Sequence, residues 1–303
     1  MNFLHISSNQ LPTKKAIYEN LLKNGHIMFK NTNIKSSTDF AKWKELLLDE
    51  EMTYFGGTNY RQDIGGKVLN TGSEPAHLDL AQHNEMSYIN KFPGIIAFCG
   101  IKPSNVGGHT SISDNRKVTK NLPKNMYERF DKEGVKYVRN FSSAEFIKEE
   151  SEYFYKDWQS TFGSDKTKVE LTLKELENSW SWGENNKLKE WYVGKAFTNH
   201  PITGEKLFFN PSFSCSVWFN DWHPFNKLPY EEQPFPPYWG NGDKFSEEEL
   251  NILKSLYDNE TISEPYEEGD IIVLDNILYC HGRTKYSGER IVGVFFGNPT
   301  VRL

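Results

Sequence analysis

Apolar positions along the chain follow two periods. Residues 14–24, KKAIYENLLKN, place Ile17, Leu21 and Leu22 on one face at helical spacing, and Asn24-Gly25 stops the run. The apolar HIMF that follows predicts a strand. A second helix is predicted over residues 37–49, capped by Ser37 or Thr38. A polar, glycine-rich stretch then runs through Gly56-Gly57 and Gly65-Gly66. Residues 94–101, GIIAFCGI, read as a buried strand ended by Pro103. Val106-Gly107-Gly108 predicts a turn, Thr110, Ile112 and Asp114 alternate after it, and residues 122–134 have helical character.

The middle of the chain, about residues 120–200, is charged and carries Trp158, Trp180, Trp182 and Trp191. It is expected to be an insertion of helices and loops packed over one face of the core. Residues 205–210 predict a strand, and residues 224–245 an ordered loop. Ser246-Glu247-Glu248-Glu249 is a capping-box pattern that opens a helix to about residue 258. Residues 270–274 and 290–296 read as strands. No repeat, low-complexity segment or linker breaks the chain, so residues 1–303 are expected to form one domain, mainly β with flanking helices.

Composition narrows the classes. Aromatic residues make up 15%, which suits packed β surfaces. The net charge of −6 and the lack of a basic face argue against nucleic acid as a partner. Cys99, Cys215 and Cys280 form no CxxC pair, so neither a disulfide framework nor a zinc ribbon is expected, and a reducing cytoplasm is the simplest setting. The first residues lack a signal-peptide core, and no apolar run reaches the roughly 20 residues of a membrane span.

The chemistry gathers around residue 83, in Gln82-His83-Asn84-Glu85-Met86. Residues two apart on an extended segment point to one side, so His83 and Glu85 can grip one ion. An imidazole with a carboxylate suits a divalent metal such as iron(II), given a third ligand from elsewhere. His281, in Tyr279-Cys280-His281-Gly282-Arg283, is that candidate. Cys280 alternates to the opposite face and is not counted. Two imidazoles and a carboxylate occupy one face of an octahedral metal and leave the other positions open. Taken alone, a His-x-Glu triplet also fits a surface pair, and a lone His also fits a hydrogen-bonded structural residue.

These pieces join others in a longer pattern. His83-Asn84-Glu85-Met86 is followed by Pro93, Gly107-Gly108-His109-Thr110 and Asp114. Asp157-Trp158-Gln159-Ser160-Thr161-Phe162 and His200-Pro201-Ile202-Thr203-Gly204-Glu205 come next, with Phe209-Asn210. Gly269-Asp270, Asp275-Asn276, His281-Gly282-Arg283, Tyr286 and Arg290 close the series. The set resembles the taurine dioxygenase / clavaminate synthase-like family of iron(II)- and 2-oxoglutarate-dependent oxygenases.

The resemblance implies a double-stranded β-helix (jelly-roll, cupin-like) core with iron(II) on His83, Glu85 and His281. It implies that Thr110 hydrogen-bonds the co-substrate 2-oxoglutarate and that Arg290 pairs with its distal carboxylate. Arginine meets that demand with two parallel charge-assisted hydrogen bonds. Arg290 is expected on a terminal strand that forms a hairpin with the His281 strand, and Arg283 is its competitor. Glu85, where many members carry Asp, points to the clavaminate-synthase-like branch. A second arginine common in the family is replaced here by Val294.

The implied activity is hydroxylation of an unactivated C–H, with succinate and carbon dioxide as co-products. The implied substrate is small and polar, such as an amino acid or a derivative, free or tethered to a carrier protein. Desaturation, cyclisation or epoxidation use the same cofactors, and a non-catalytic jelly-roll binder or a zinc hydrolase are the other readings. A halogenase is disfavoured because Glu85 fills the position chloride needs. Arg61 reads equally as a substrate-carboxylate partner and as a structural ion pair. Trp158 and Asn210 are further candidates for contact with substrate, Trp158 with core packing as its competing role. His77 and His109 are expected beside the site or at the surface rather than on the metal.

Overall fold

The computed structural model describes residues 3–7, 9, 11–54, 61–72, 74–146 and 157–303. Gly56-Gly57 and Asn59-Tyr60 lie outside the described residues.

The first helix, Lys14–Asn24, begins where Thr13 Oγ1 accepts from the Ala16 amide and buries Ile17 and Leu21. Gly25 ends it at φ 77°. A side chain there would also meet Tyr279, 2.2 Å from a built Cβ, so glycine is required twice over. The chain enters the strand His26–Lys30 at once. The single helix predicted over 37–49 is two short ones, Ser37–Ala41 and Lys44–Leu47. Ser36, not Ser37 or Thr38, is the cap. Tertiary contacts split the helix: Trp43 packs on Phe29, and Lys44 Nζ donates to the Gly66 and Lys67 carbonyls.

Eight strands form the main sheet. In order they are His5–Ser7, His26–Lys30, Ile271–Asp275, Lys91–Lys102, Ile291–Val301, Val68–Asn70 and Asp63–Gly65, with Glu51–Met52 also on Ile291–Val301. A four-stranded sheet runs Thr261–Ser263, Thr110–Asp114, Tyr279–Arg283, Leu80–His83. Alternation sorts the main sheet's two faces. Phe98, Ile272, Leu274, Val294 and Phe296 join Ile112 and Tyr279 of the smaller sheet in one buried cluster. Ala97, Cys99, Ile271, Val273 and Phe295 point the other way, onto Ile17, Leu21, Phe40 and Leu47 of the helices. Burial on both faces is why these strands read as unbroken apolar runs. The outer side of the smaller sheet, marked by Cys280, packs on Val118, Leu253 and Tyr257. Leu253 and Tyr257 belong to the helix Glu247–Glu260, whose Ser246–Glu249 capping box is formed.

Part of the region expected as an insertion builds a third sheet, Ser179–Trp182, Leu188–Gly194, Val135–Phe141, Tyr238–Trp239. With the helices Trp158–Phe162 and Lys166–Glu175 it encloses its own core of Phe141, Trp158, Val169, Leu173 and Leu188.

The expected hairpin between the His281 strand and the terminal strand does not form. Tyr279–Arg283 pairs with Leu80–His83 and Thr110–Asp114, whereas Ile291–Val301 pairs with Lys91–Lys102 in the main sheet. The chain crosses between the sheets through Tyr286–Ser287, which pairs with Val106–Gly107, and turns at Gly288 with φ 86°. Among the described residues, no helix is long and apolar enough to cross a membrane.

Candidate metal centre

His83 and His281 are directly opposed on the antiparallel ladder between Leu80–His83 and Tyr279–Arg283. Opposed residues share a face, and the two rings lie 4.4 Å apart between centroids. Phe98 of the main sheet backs His281 at 4.9 Å, and Trp218 flanks His83 at 5.3 Å. His83 Nδ1 lies 2.9 Å from the Ala81 carbonyl. Nδ1 is therefore the protonated donor, and Nε2 is left as the ligand nitrogen.

Glu85 reaches the same point differently from the expectation of one extended segment. The strand ends at His83, and Glu85 sits in the turn that follows. Asn276 fixes that turn: its Oδ1 accepts from the Glu85 amide at 2.9 Å, and its Nδ2 donates to the Glu85 carbonyl at 3.0 Å and to that of Pro93 at 2.8 Å. Asn84 donates to the Asn276 and Tyr279 carbonyls, and Asn115 donates to Asn84 Oδ1. Met86 takes φ 57° to complete the bend.

The outcome is one ligand atom from each of His83, Glu85 and His281, all within 4.8 Å of one another. Glu85 Oε2 is 3.8 Å from His281 Nε2. Burial, with His83 and Arg61 adding to it, holds the His281 imidazolium well below its ordinary range, so the ring is neutral near pH 7 and offers a lone pair. Two imidazoles and a carboxylate, walled by rings on one side, fit iron(II).

Arg61 joins the metal residues directly. Its Nη2 donates to Glu85 Oε2 at 2.8 Å. Its guanidinium lies over Tyr54 at 4.7 Å and Phe296 at 5.4 Å. Burial opposes its charge, but Glu85, Tyr54 and Glu74 more than offset that and raise its pKa. Of the two roles open from the sequence, the ion pair is present.

Arg290, Thr110 and Arg283 line the same cavity. Arg290 Nε donates to the Gly108 carbonyl at 2.9 Å and Nη1 to Thr71 Oγ1 at 3.1 Å. Thr110 Oγ1 accepts from the Tyr266 hydroxyl at 2.8 Å. Arg283 is committed elsewhere, donating to the carbonyls of Glu74, Pro75 and Leu78. Burial pulls the pKa of Arg290 down from the usual arginine value, and Arg283 adds to that.

The structure does not bring Trp158 or Asn210 to this cavity. The Trp158 indole N–H donates to the Asn186 carbonyl inside the third sheet's core. Asn210 is held by the Ala196 carbonyl and the Ser212 amide. His77 is exposed, and His109 Nδ1 lies against Ser263 Oγ. His200, of the His200-Pro201 motif, donates from Nε2 to Asp275, whose other oxygen caps the Ile277 and Leu278 amides in the turn before the His281 strand. Sequence reasoning gave no role to Asn84, Asn115 or Asn276; an asparagine inside an apolar run is a signal that could have found Asn276, whereas Asn84 and Asn115 sit among polar residues. Met86, Tyr88 and Phe235 line both this cavity and a larger cleft of about 910 Å³ that also touches Arg139 and Tyr192 of the third sheet.

A facial set of two histidines and a carboxylate, with a buried arginine along the same cavity, defines an iron(II)- and 2-oxoglutarate-dependent dioxygenase. Residues 3–294 match the family described as taurine catabolism dioxygenase TauD, TfdA family, and the chain belongs to it. It is 25% identical over 298 residues to the dapdiamide synthesis protein DdaC of Enterobacter agglomerans, covering 93% of this chain and 85% of that one. It is 24% identical over 302 residues to a clavaminate synthase-like protein of Arabidopsis thaliana, covering 95% and 86%. Among solved structures it shares its fold with a taurine dioxygenase from Burkholderia xenovorans, at TM-score 0.56 and 12% identity over 100% of this chain and 92% of that one.

Proposed function

We propose that the chain hydroxylates an unactivated C–H of a small polar substrate, an amino acid or amino-acid derivative, free or tethered to a carrier protein. The two facing sheets act as one double-stranded β-helix core, and residues of about 120–200 as an insertion on it, within a single oxygenase domain. The observation that carries the reading is the convergence of His83, Glu85 and His281 in a cavity that Arg290 and Thr110 also line. Iron(II) with 2-oxoglutarate supplies the oxidising power from dioxygen, with succinate and carbon dioxide as co-products.

The chain's own residues bind and orient. His83, Glu85 and His281 hold the metal on one face, and Asn276 sets the approach of Glu85. Arg290 takes the distal carboxylate of 2-oxoglutarate, and Thr110, fixed by Tyr266, adds a hydroxyl contact. Phe98 and Trp218 keep water from the imidazoles. The wide cleft beyond Tyr88 and Phe235 supports a substrate with a tail or carrier outside the metal chamber. The likeness to a dapdiamide synthesis protein supports a biosynthetic small molecule. A succinate-release screen over free amino acids and their conjugates tests this reading: one class is expected to raise iron-dependent succinate release above the uncoupled rate. A uniform background across the whole panel would overturn the assigned substrate.

A further inference from the structure

Arg61 has more hydrogen-bonding capacity than the metal residues use. Its side chain is 9% exposed, and Glu85 occupies Nη2. Nε and Nη1 are buried without a partner, and the residue lines the cavity of the metal ligands. A guanidinium has five N–H donors in a fixed plane, and buried donors left unpaired are unfavourable. An acceptor brought into the cavity relieves that cost.

This cation and the co-substrate arginine hold different partners. On the smaller sheet, His281 is opposite Ile112 and Arg283 is opposite Thr110, so Thr110 lies two residues further along the strand. Arg290 binds Gly108, beyond Thr110 in the same direction. Leu80 pairs with Arg283 and His83 with His281, and Arg61 is held by Glu85 in the turn that follows that strand. Both guanidinium groups line the cavity of the metal residues, Arg61 on Glu85 and Arg290 on Gly108 and Thr71, and a co-substrate carboxylate paired with Arg290 leaves the charge of Arg61 to another acid. Charge points the same way. In the loaded site, iron(II), Arg61 and Arg290 face Glu85 and the two carboxylates of 2-oxoglutarate, which leaves one positive charge in excess. The cavity's Arg283 and Glu74 cancel each other.

We propose that Arg61 binds the carboxylate of the substrate, which is therefore a monocarboxylic acid held by its acid group on the Glu85 side of the metal. This rests on the oxygenase reading above. The planar guanidinium, already lying against the Tyr54 and Phe296 rings, offers its edges to a planar carboxylate, and a single negative charge completes the balance. The rest of the acid runs past Tyr88 and Phe235 toward the wide cleft.

The test reads binding rather than turnover. Trp218 lies beside His83, so its fluorescence reports the cavity. Protein loaded with iron(II) and 2-oxoglutarate in the absence of dioxygen is titrated with N-acetyl-leucine, N-acetyl-phenylalanine and hexanoate. Each is set against its primary amide, and hexanoate also against hexanesulfonate. At least one acid is expected to bind tenfold or more tightly than its amide, Arg61→Gln to erase that difference, and Arg61→Lys to restore part of it. A panel in which no acid is preferred overturns the proposal. So does a preference for the sulfonate, or an acid preference that survives Arg61→Gln, which reports direct ligation of the metal. If Arg61→Gln fails to fold, the acid and amide pairs on the wild-type protein still decide. Wild-type protein that consumes 2-oxoglutarate but treats acids and amides alike loses the carboxylate site and keeps the oxygenase reading. Protein that prefers acids but never consumes 2-oxoglutarate loses the oxygenase reading instead.

Discussion

Asn276 holds the backbone of Glu85 from both sides, accepting from its amide and donating to its carbonyl, across 191 residues of sequence. It touches no metal ligand atom, yet it decides where the Glu85 carboxylate lies. Partners of this kind typically change metal affinity by about 10–100-fold when removed. Asn276→Ala is expected to weaken iron(II) binding within that range. It also strands the buried Glu85 and Pro93 groups, at about 1–3 kcal/mol for each unpaired group. Iron titration and denaturant unfolding measure the two effects, and an unchanged iron constant would show that Glu85 is placed by something else.

Arg290 and Arg283 separate by what already surrounds them. Arg283 is spent on three backbone carbonyls, while Arg290, among the described residues, donates to Gly108 and Thr71 and lines the same cavity as Thr110. Removing one partner of a buried ion pair costs about 3–5 kcal/mol, and each 1.4 kcal/mol is about tenfold in affinity. Arg290→Ala is expected to raise the 2-oxoglutarate constant by a factor on the order of a hundred or more, with Arg290→Lys recovering part. Arg283→Ala is expected to lower stability, because it frees the carbonyls of residues 74, 75 and 78, and to affect 2-oxoglutarate far less. The opposite ranking would move the co-substrate site to Arg283.

The sequence shows the parts of this site better than their assembly. The helix Lys14–Asn24 is legible because its cap, apolar face and terminal glycine are all local. The two histidines and Glu85 are legible because their residue types suit one metal. The period-two rule fails at Glu85 because the strand stops at His83 and a distant asparagine takes over. The hairpin expected for Arg290 fails because strand pairing is settled over long range. Ile291–Val301 runs beside Lys91–Lys102 for most of its length, which outweighs a local return to Tyr279–Arg283. Trp158 misleads because a buried tryptophan does not announce which core it fills.

Acid is expected to loosen one contact far from the metal. Glu205 accepts from Arg116 Nε at 2.7 Å and Nη2 at 2.8 Å, and Arg116 also donates to the Leu22 carbonyl near the end of the first helix. The Arg116 bond, helped by Thr203, lowers the Glu205 pKa to about 2. An unfolded glutamate titrates near about 4.3. The folded value is the lower one, so this stability is full above about pH 4.3 and is lost as pH falls through about 2. Glu205 is 39% exposed, so solvent and salt screen the effect. Urea unfolding of wild type and Glu205→Gln across that window is expected to show a stability gap that closes toward about pH 2. A gap constant with pH would contradict the ion pair.

Iron-dependent succinate release tests the central claim most directly. Wild-type protein loaded with iron(II) in air is expected to convert 2-oxoglutarate to succinate and carbon dioxide. His83→Ala and His281→Ala are expected to lose that conversion while keeping the wild-type circular dichroism, because the β core is built from apolar residues of both sheets and not from the metal. Succinate release that persists at the wild-type rate in either variant, or in wild type stripped of iron, would contradict the account.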